Sequence, residues 1–342
     1  MNMRWCWALV SGLCLGMASI VGAGSTTQPA QPAAVAVEIC PFKDDKDAAL
    51  SFTFDDGIRD QVDLAVPLLE RYGFRATFFV IAGLTPDHKK DPRAQRSGEW
   101  ASVAWEEWAE LAKRGHEIGS HSLSHPMLDR VTEDKKLTRE IVQSKKLIQT
   151  KLGLTPISFC YPYNQRTDHV RDLVLKQYPL VREEELVYGR TDFTADTANS
   201  WVNQAIQQHR WMVPMIHGIE KGFTAFSSVK VLEAHLKYLK QREPQIWVDT
   251  FGTIGRYVKL RDATTLKILQ TGAKKVVFQL TSNLDPTIYN LPLTVAIEVH
   301  TKKAVASRDA KKEPLPMPIQ IQDQQLLLDV TPGPNPITVT WE

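Results

Sequence analysis

The chain has 342 residues, with 41 Lys and Arg against 39 Asp and Glu and a formal charge of +2. At roughly 150 residues per domain this length suggests about two domains, and a near-balanced charge without a long basic run excludes a nucleic-acid footprint. With 43% hydrophobic and 23% charged residues, the composition is that of a globular protein and excludes a disordered acidic chain, a collagen and a multi-span membrane protein.

In chain order, the first element is a targeting segment. Arg4 is the only charge before Glu38, Trp5 to Ile20 is almost entirely apolar or small, and Val21-Gly22-Ala23 supplies small residues at a cleavage position. This reads as a signal peptide over residues 1–23, with export to the periplasm or the outside and no stable membrane insertion after cleavage. The alternative is an uncleaved anchor, for which the run falls short of the ~20 residues a span needs. Residues 24–44, rich in Pro, Ala, Thr and Gln, read as a linker. Once Cys6 and Cys14 leave with the signal, Cys40 and Cys160 remain, either paired or as two buried thiols.

Residues 45–262 alternate short apolar runs with amphipathic stretches. Ala49–Phe54, Ala76–Ile81, Glu117–Ser120, Ile157–Cys160, Leu186–Arg190, Met212–Ile216 and Ile246–Thr250 are the strand candidates. Val62–Tyr72, Trp105–Arg114, Glu133–Lys151, Asp168–Gln177 and Val229–Gln241 carry apolar residues at helical spacing. Seven strands alternating with helices predict an α/β layered or barrel architecture. From residue 263 to 342 the pattern is strand-like throughout, predicting a small all-β, sandwich-like domain.

Polar residues gather where these strands end. The first strand closes in Thr53-Phe54-Asp55-Asp56-Gly57, where a turn allows both carboxylates to reach one site. His121-Ser122-Leu123-Ser124-His125 follows the third strand, with histidines at i and i+4, which share one face of a helical turn. Two histidines and a carboxylate with an open fourth position are the pattern of a catalytic zinc site. Tyr161-Pro162-Tyr163-Asn164 closes the fourth strand and His217 the sixth. C-terminal strand ends are the rim on which α/β barrels build active sites. A metallopeptidase is not indicated, because His116-Glu117 lacks the second histidine of His-Glu-x-x-His.

These motifs resemble those of the polysaccharide deacetylases, the family 4 carbohydrate esterases, over about Asp47 to Asp262. Ser51–Gly57, Pro67–Phe79 and Gly115–His125 carry the resemblance. It implies a distorted seven-stranded (β/α) barrel acting on an acetylated polysaccharide. By resemblance, Asp56, His121 and His125 bind one divalent metal, usually Zn2+. Asp55 is the general base and His217 the general acid, and the backbone N–H of Tyr163, after Pro162, helps hold the oxyanion.

The chain departs from the family pattern at the third motif, where Cys160 stands in place of an arginine that orients the base carboxylate, and Asn164 in place of a glycine. Arg190, at the end of Leu186–Arg190, either supplies the missing guanidinium to Asp55 or is a rim charge. Trp211 and Trp201 are candidates for the family's tryptophan motif, Trp211 as a substrate contact. Trp341 and Tyr289 are possible sugar-stacking residues of the C-terminal domain. The functional expectation is a secreted metal-dependent deacetylase acting on N- or O-acetyl groups. The alternative is a non-catalytic carbohydrate-binding protein on the same scaffold.

Overall fold

The computed structural model describes residues 35–94, 101–183, 186–189, 192–220, 224–310, 313–322 and 324–342. The signal peptide expected over 1–23 and Arg190 lie outside these residues. Among them, no helix is long and apolar enough to cross a membrane.

Strand β1 (Val37–Ile39) is followed by β2 (Ala48–Leu50) and β3 (Thr53–Asp55), two halves of one apolar run broken at Ser51-Phe52. Helix α1 (Val66–Arg71), preceded by a π-turn at Gln61–Ala65, leads to β4 (Thr77–Val80). Next come α2 (Trp105–Lys113), β5 (Glu117–Ser120), α3 (Asp134–Thr138) and α4 (Ser144–Leu152), the last two joined by a π-turn at Arg139–Gln143. Then follow β6 (Ser158–Cys160), α5 (Asp168–Leu175), β7 (Leu180–Arg182), β8 (Leu186–Val187), α6 (Ala195–Gln207), β9 (Trp211–Met212) and β10 (Pro214–Ile216). The α/β part closes with α7 (Val229–Gln241), β11 (Ile246–Val248) and α8 (Phe251–Asp262).

Seven strands pair in the order β7-β6-β5-β4-β3-β10-β8, and each pairing is parallel. The lower halves form a second parallel sheet, β11-β2-β9. Breaking the first strand at Ser51-Phe52 therefore lets its two halves take different neighbours, and the barrel is distorted rather than closed. Strands buried on both faces read as continuous apolar runs, as Ala48–Leu50 and Thr77–Val80 do. Helix α8 fits against the open side. A Cβ at Gly255 would stand 3.0 Å from the Leu180 side chain and 3.3 Å from Trp211, so any larger residue would make these neighbours give way.

Strand β7 was not among the strand candidates, and it changes the topology. The strand following β6 along the sheet is β7, while β8 lies at the opposite edge, paired with β10. The run expected over Leu186–Arg190 is a strand only at Leu186–Val187. The segment read as a linker over 24–44 also contains folded chain: its Val-Glu-Ile forms β1.

The C-terminal part is all β. Its strands are β12 (Thr264–Gly272), β13 (Lys275–Ser282), β14 (Leu293–Glu298), β15 (Ala304–Ala310), β16 (Glu313–Met317), β17 (Ile319–Gln322), β18 (Gln325–Val330) and β19 (Ile337–Trp341). One antiparallel sheet runs β1-β14-β18-β17 and the other β12-β13-β19-β15-β16. Their inner faces share a core including Phe278, Val295, Leu328 and Val339. Trp341 packs onto this core, and Tyr289 onto the cluster around Tyr257 and Leu293. The Tyr257 hydroxyl of α8 donates to the Cys40 carbonyl at 3.0 Å and accepts from the Thr294 N–H at 3.3 Å, tying barrel to sandwich. Cys40 and Cys160 are both buried free thiols.

His235 of α7 is fully buried, with Nδ1 2.8 Å from Asn199 Oδ1. Burial pushes its pKa down to about 3, so the folded state binds fewer protons than the unfolded one below the ordinary histidine value. Stability present above about pH 6.5 is thus lost as the pH falls, by at most ~1.4 kcal/mol per pH unit for this group. We expect His235→Gln, which keeps a donor but does not titrate, to show a shallower fall than wild type between pH 6.5 and 4.5. Denaturant unfolding across that range measures the difference.

Candidate metal centre and active site

Strand β3 ends on Asp55, and the next two residues turn sharply, with φ of 71° at Asp56 and 69° at Gly57. Aspartate tolerates the left-handed region better than most residues, and Trp108 packs 3.2 Å from where a Gly57 Cβ would stand. The turn sends the two neighbouring carboxylates to different partners. Gln61 supports it from the π-turn, its amide donating to the Asp55 carbonyl at 2.6 Å and to the His217 carbonyl.

Asp55 is buried and gripped by one arginine. Nη1 of Arg182 donates to Oδ1 at 2.7 Å and Nη2 to Oδ2 at 2.6 Å, while Nη1 also reaches Thr53 Oγ1 at 2.8 Å. Arg182 is only 2% exposed, so both charges of this bidentate pair are out of water. Burial alone would push the Asp55 carboxyl up. The Arg182 guanidinium outweighs it and holds the group well below the usual carboxylate range. Sequence reasoning looked for this guanidinium at Arg190, which lies outside the described residues. The residue on both Asp55 oxygens is Arg182.

Asp56 turns toward two histidines. Its Oδ1 lies 3.5 Å from His121 Nε2 and 3.3 Å from His125 Nε2, and the two nitrogens are 3.1 Å apart. Two ligands of a tetrahedral zinc, each ~2.0–2.1 Å from the ion, stand about 3.3 Å apart. The donor triangle therefore has the dimensions of a metal's ligand set. Oδ1 of Asp56 is also buried and accepts no hydrogen bond of good geometry, an expensive state for a carboxylate oxygen with no cation beside it. Burial holds His121 neutral, with its pKa down to about 4, which is the form that ligates. Its Nδ1 lies 3.0 Å from the Cys160 carbonyl, the usual way a ligating imidazole is oriented.

The histidines do not share a face of a helical turn. Residues 121–125 form a loop with φ of 67° at Ser122 and 64° at His125. Glu140, from the π-turn between α3 and α4, clamps that loop. It accepts from the Leu123 and Ser124 N–H groups at 3.1 and 2.8 Å and from the Ser124 hydroxyl at 2.8 Å. A second group, Asp55, His121 and Cys160, is also compact. It suits a cation less well, because Asp55 already serves Arg182 and burial pushes the Cys160 thiol well up, keeping it protonated.

His217 follows β10 on the same rim. Its Nδ1 is 2.6 Å from Thr224 Oγ1 and its Nε2 is 3.7 Å from Asp56 Oδ2. Tyr163, with φ of 57°, stands 51% exposed in the turn after Pro162, its ring 4.7 Å from that of His125. Asp55, Asp56, His121, His125, Tyr163 and His217 line one cleft of about 980 Å³. Trp211 does not belong to it. It sits on β9, toward the opposite end from His217, stacked on Phe251 with Nε1 donating to Ser51 Oγ at 3.1 Å, so its expected role as a substrate contact is corrected to a packing one. Trp201 packs on Tyr188 and Phe193.

Residues 42–180 match the sequence profile of the family described as polysaccharide deacetylase. A gellan lyase from a Bacillus species is 26% identical over 318 residues, covering 82% of this chain and 12% of that protein. A Bacillus subtilis protein named as a putative polysaccharide deacetylase, YxkH, is 29% identical over 143 residues, or 41% of this chain and 47% of its own length. The chain thus spans about an eighth and about half of these two relatives. Among solved structures, the peptidoglycan deacetylase PdaC from Bacillus subtilis has 24% identity, covers 63% of this chain and 93% of its own, and gives a TM-score of 0.46.

From the donor triangle we expect one zinc per wild-type chain after equilibration and dialysis, and strongly reduced content in His121→Ala. Glu140→Ala should still fill at saturation but bind zinc ~10-fold or more weaker, the effect of losing a group that holds ligands in place. Elemental analysis and competition with a chromophoric chelator measure both.

Proposed function

Starting from a chain whose residues 42–180 belong to the polysaccharide deacetylase family, we propose that this protein is an exported, metal-dependent hydrolase that removes acetyl groups from a carbohydrate polymer. The observation that carries the reading is the meeting, in one cleft, of a metal-sized donor triangle and an aspartate held ionised by a buried arginine. Export rests on the apolar segment over 1–23.

In this reading Asp56, His121 and His125 hold one divalent cation, and two imidazoles with one carboxylate suit zinc. Such a cation, when bound, lowers the pKa of a water and polarises the acetyl carbonyl. Asp55 then takes the proton of the attacking water. Its bidentate contact with Arg182 keeps the carboxylate charged and fixed, as a general base requires. His217 gives a proton from Nε2 to the departing sugar nitrogen or oxygen, with Nδ1 held by Thr224. The backbone N–H of Tyr163 donates to the oxyanion as it develops, and the half-exposed Tyr163 ring offers a face for a sugar.

The binding-only alternative drew its force from the cysteine at position 160. The Arg182–Asp55 pair answers that objection, so the enzymatic reading stands ahead. Acetate release from chitin oligomers, peptidoglycan and acetylated xylan with added zinc is the direct test. Release from at least one is expected, and no release from any, with metal bound, contradicts the reading. His217→Ala should retain its metal and lose ~10²–10⁴-fold in turnover, the usual contribution of a general acid, measured as kcat beside metal content. Loss of the metal instead would make His217 a ligand.

A further inference from the structure

Cys160 and Arg182 stand directly opposite each other in the sheet, Cys160 on β6 paired with Arg182 on β7. Both side chains reach Asp55, the Cys160 thiol at 3.7 Å while it also lies 2.8 Å from His121 Nδ1, and the Arg182 guanidinium through two of its nitrogens at 2.6 and 2.7 Å. Neither residue is among those lining the cleft. Arg182 instead reaches Asp55 from outside the cleft, its guanidinium 5.3 Å from the Phe79 ring centre. On the far side it borders a separate hollow with Leu180, Trp211 and Phe251.

We propose that Arg182 is the positioning residue for the Asp55 base, supplied from β7 because the β6 position facing Asp55 holds a thiol. The proposal rests on the deacetylase reading for its kinetic part only. A thiol is a weak donor without charge, so it cannot fix a carboxylate. A planar fork accepts one orientation of its partner and a point charge does not. The Asp55 carboxylate therefore has its rotation set by β7, by a residue that does not line the cleft. From this it follows that loss of the fork lowers kcat and leaves KM alone, because substrate contacts are intact. It also follows that an arginine brought in from β6 restores what β7 has lost, since the two positions face the same carboxylate.

The test compares wild type, Arg182→Lys, Arg182→Ala and the double variant Arg182→Ala/Cys160→Arg, all as full chains loaded with zinc. Metal content, kcat and KM are measured, together with crystal structures that report the Asp55 side chain. We expect Arg182→Lys to keep its zinc and its KM within twofold and to lose at least tenfold in kcat, with Asp55 in a changed rotamer. The double variant should recover kcat at least fivefold over Arg182→Ala, with the new guanidinium on Asp55. Should Arg182→Ala fail to fold, the double variant is compared with Arg182→Lys, and recovery of a folded, zinc-loaded chain with Asp55 in its wild-type rotamer supports the proposal. Asp55 unmoved in Arg182→Lys, or kcat within twofold of wild type, overturns it. A wild type inert on every substrate sinks the deacetylase reading instead, and the Asp55 rotamer then decides the role of Arg182 alone.

Discussion

Two consecutive aspartates cannot both stay ionised in a buried cleft unless each has its own countercharge. Repulsion and burial push in the same direction, toward protonation. In this protein the turn at Asp56-Gly57 resolves the conflict by aiming the side chains apart. Asp55 meets the Arg182 fork, and Asp56 stands with the His121 and His125 nitrogens in a donor set whose countercharge would be the cation it has the dimensions to hold. Removing one partner from a buried pair of this kind costs about 3–5 kcal/mol, because the charge left behind is buried and uncompensated, so a substitution at either Arg182 or Asp55 is felt by the sheet as well as by the site.

The distorted barrel serves that arrangement. Because the sheet is open, β7 forms one edge and β8 the other, and β7 is free to lean its arginine beneath the cleft while α8 covers its outer side. Glu140 plays the corresponding part for the loop carrying His121 and His125: from a π-turn in the middle of a helix, often a mark of function, it accepts from two of the loop's backbone N–H groups. The loop's left-handed residues then need no glycine, since the clamp over-determines their conformation. The candidate ligands, base and acid all project from strand ends, while the groups that hold them come from beneath or behind.

Much of this was legible in the sequence. Asp55, Asp56, His121, His125 and His217 stand out because each is a polar residue ending an apolar strand, and the contrast survives without any structure. The α/β alternation and the all-β tail were legible for a similar reason, since hydrophobic period distinguishes helix from strand. Arg182 was not legible. Its strand is three residues long, follows Pro179 and has no alternation to count, and its neighbour is chosen by tertiary pairing. Glu140 looks like any charge on an amphipathic helix, and nothing local says that it points at a loop 16 residues earlier. Val37–Ile39 becomes a strand only through β14, far along the chain. Trp211 was misread because its strand runs on past a break, so it lies at the wrong end of the run that ends at His217.

The central claim is that Asp56, His121 and His125 hold the cation while Asp55 stays with Arg182. Anomalous diffraction from zinc-soaked crystals of the full chain tests it most directly. The account predicts one peak ~2.0–2.2 Å from the two histidine Nε2 atoms and an Asp56 oxygen, with the Asp55–Arg182 contact intact. A peak coordinated by Asp55 and Cys160, or an Asp55 that leaves Arg182 to ligate the metal, would contradict it.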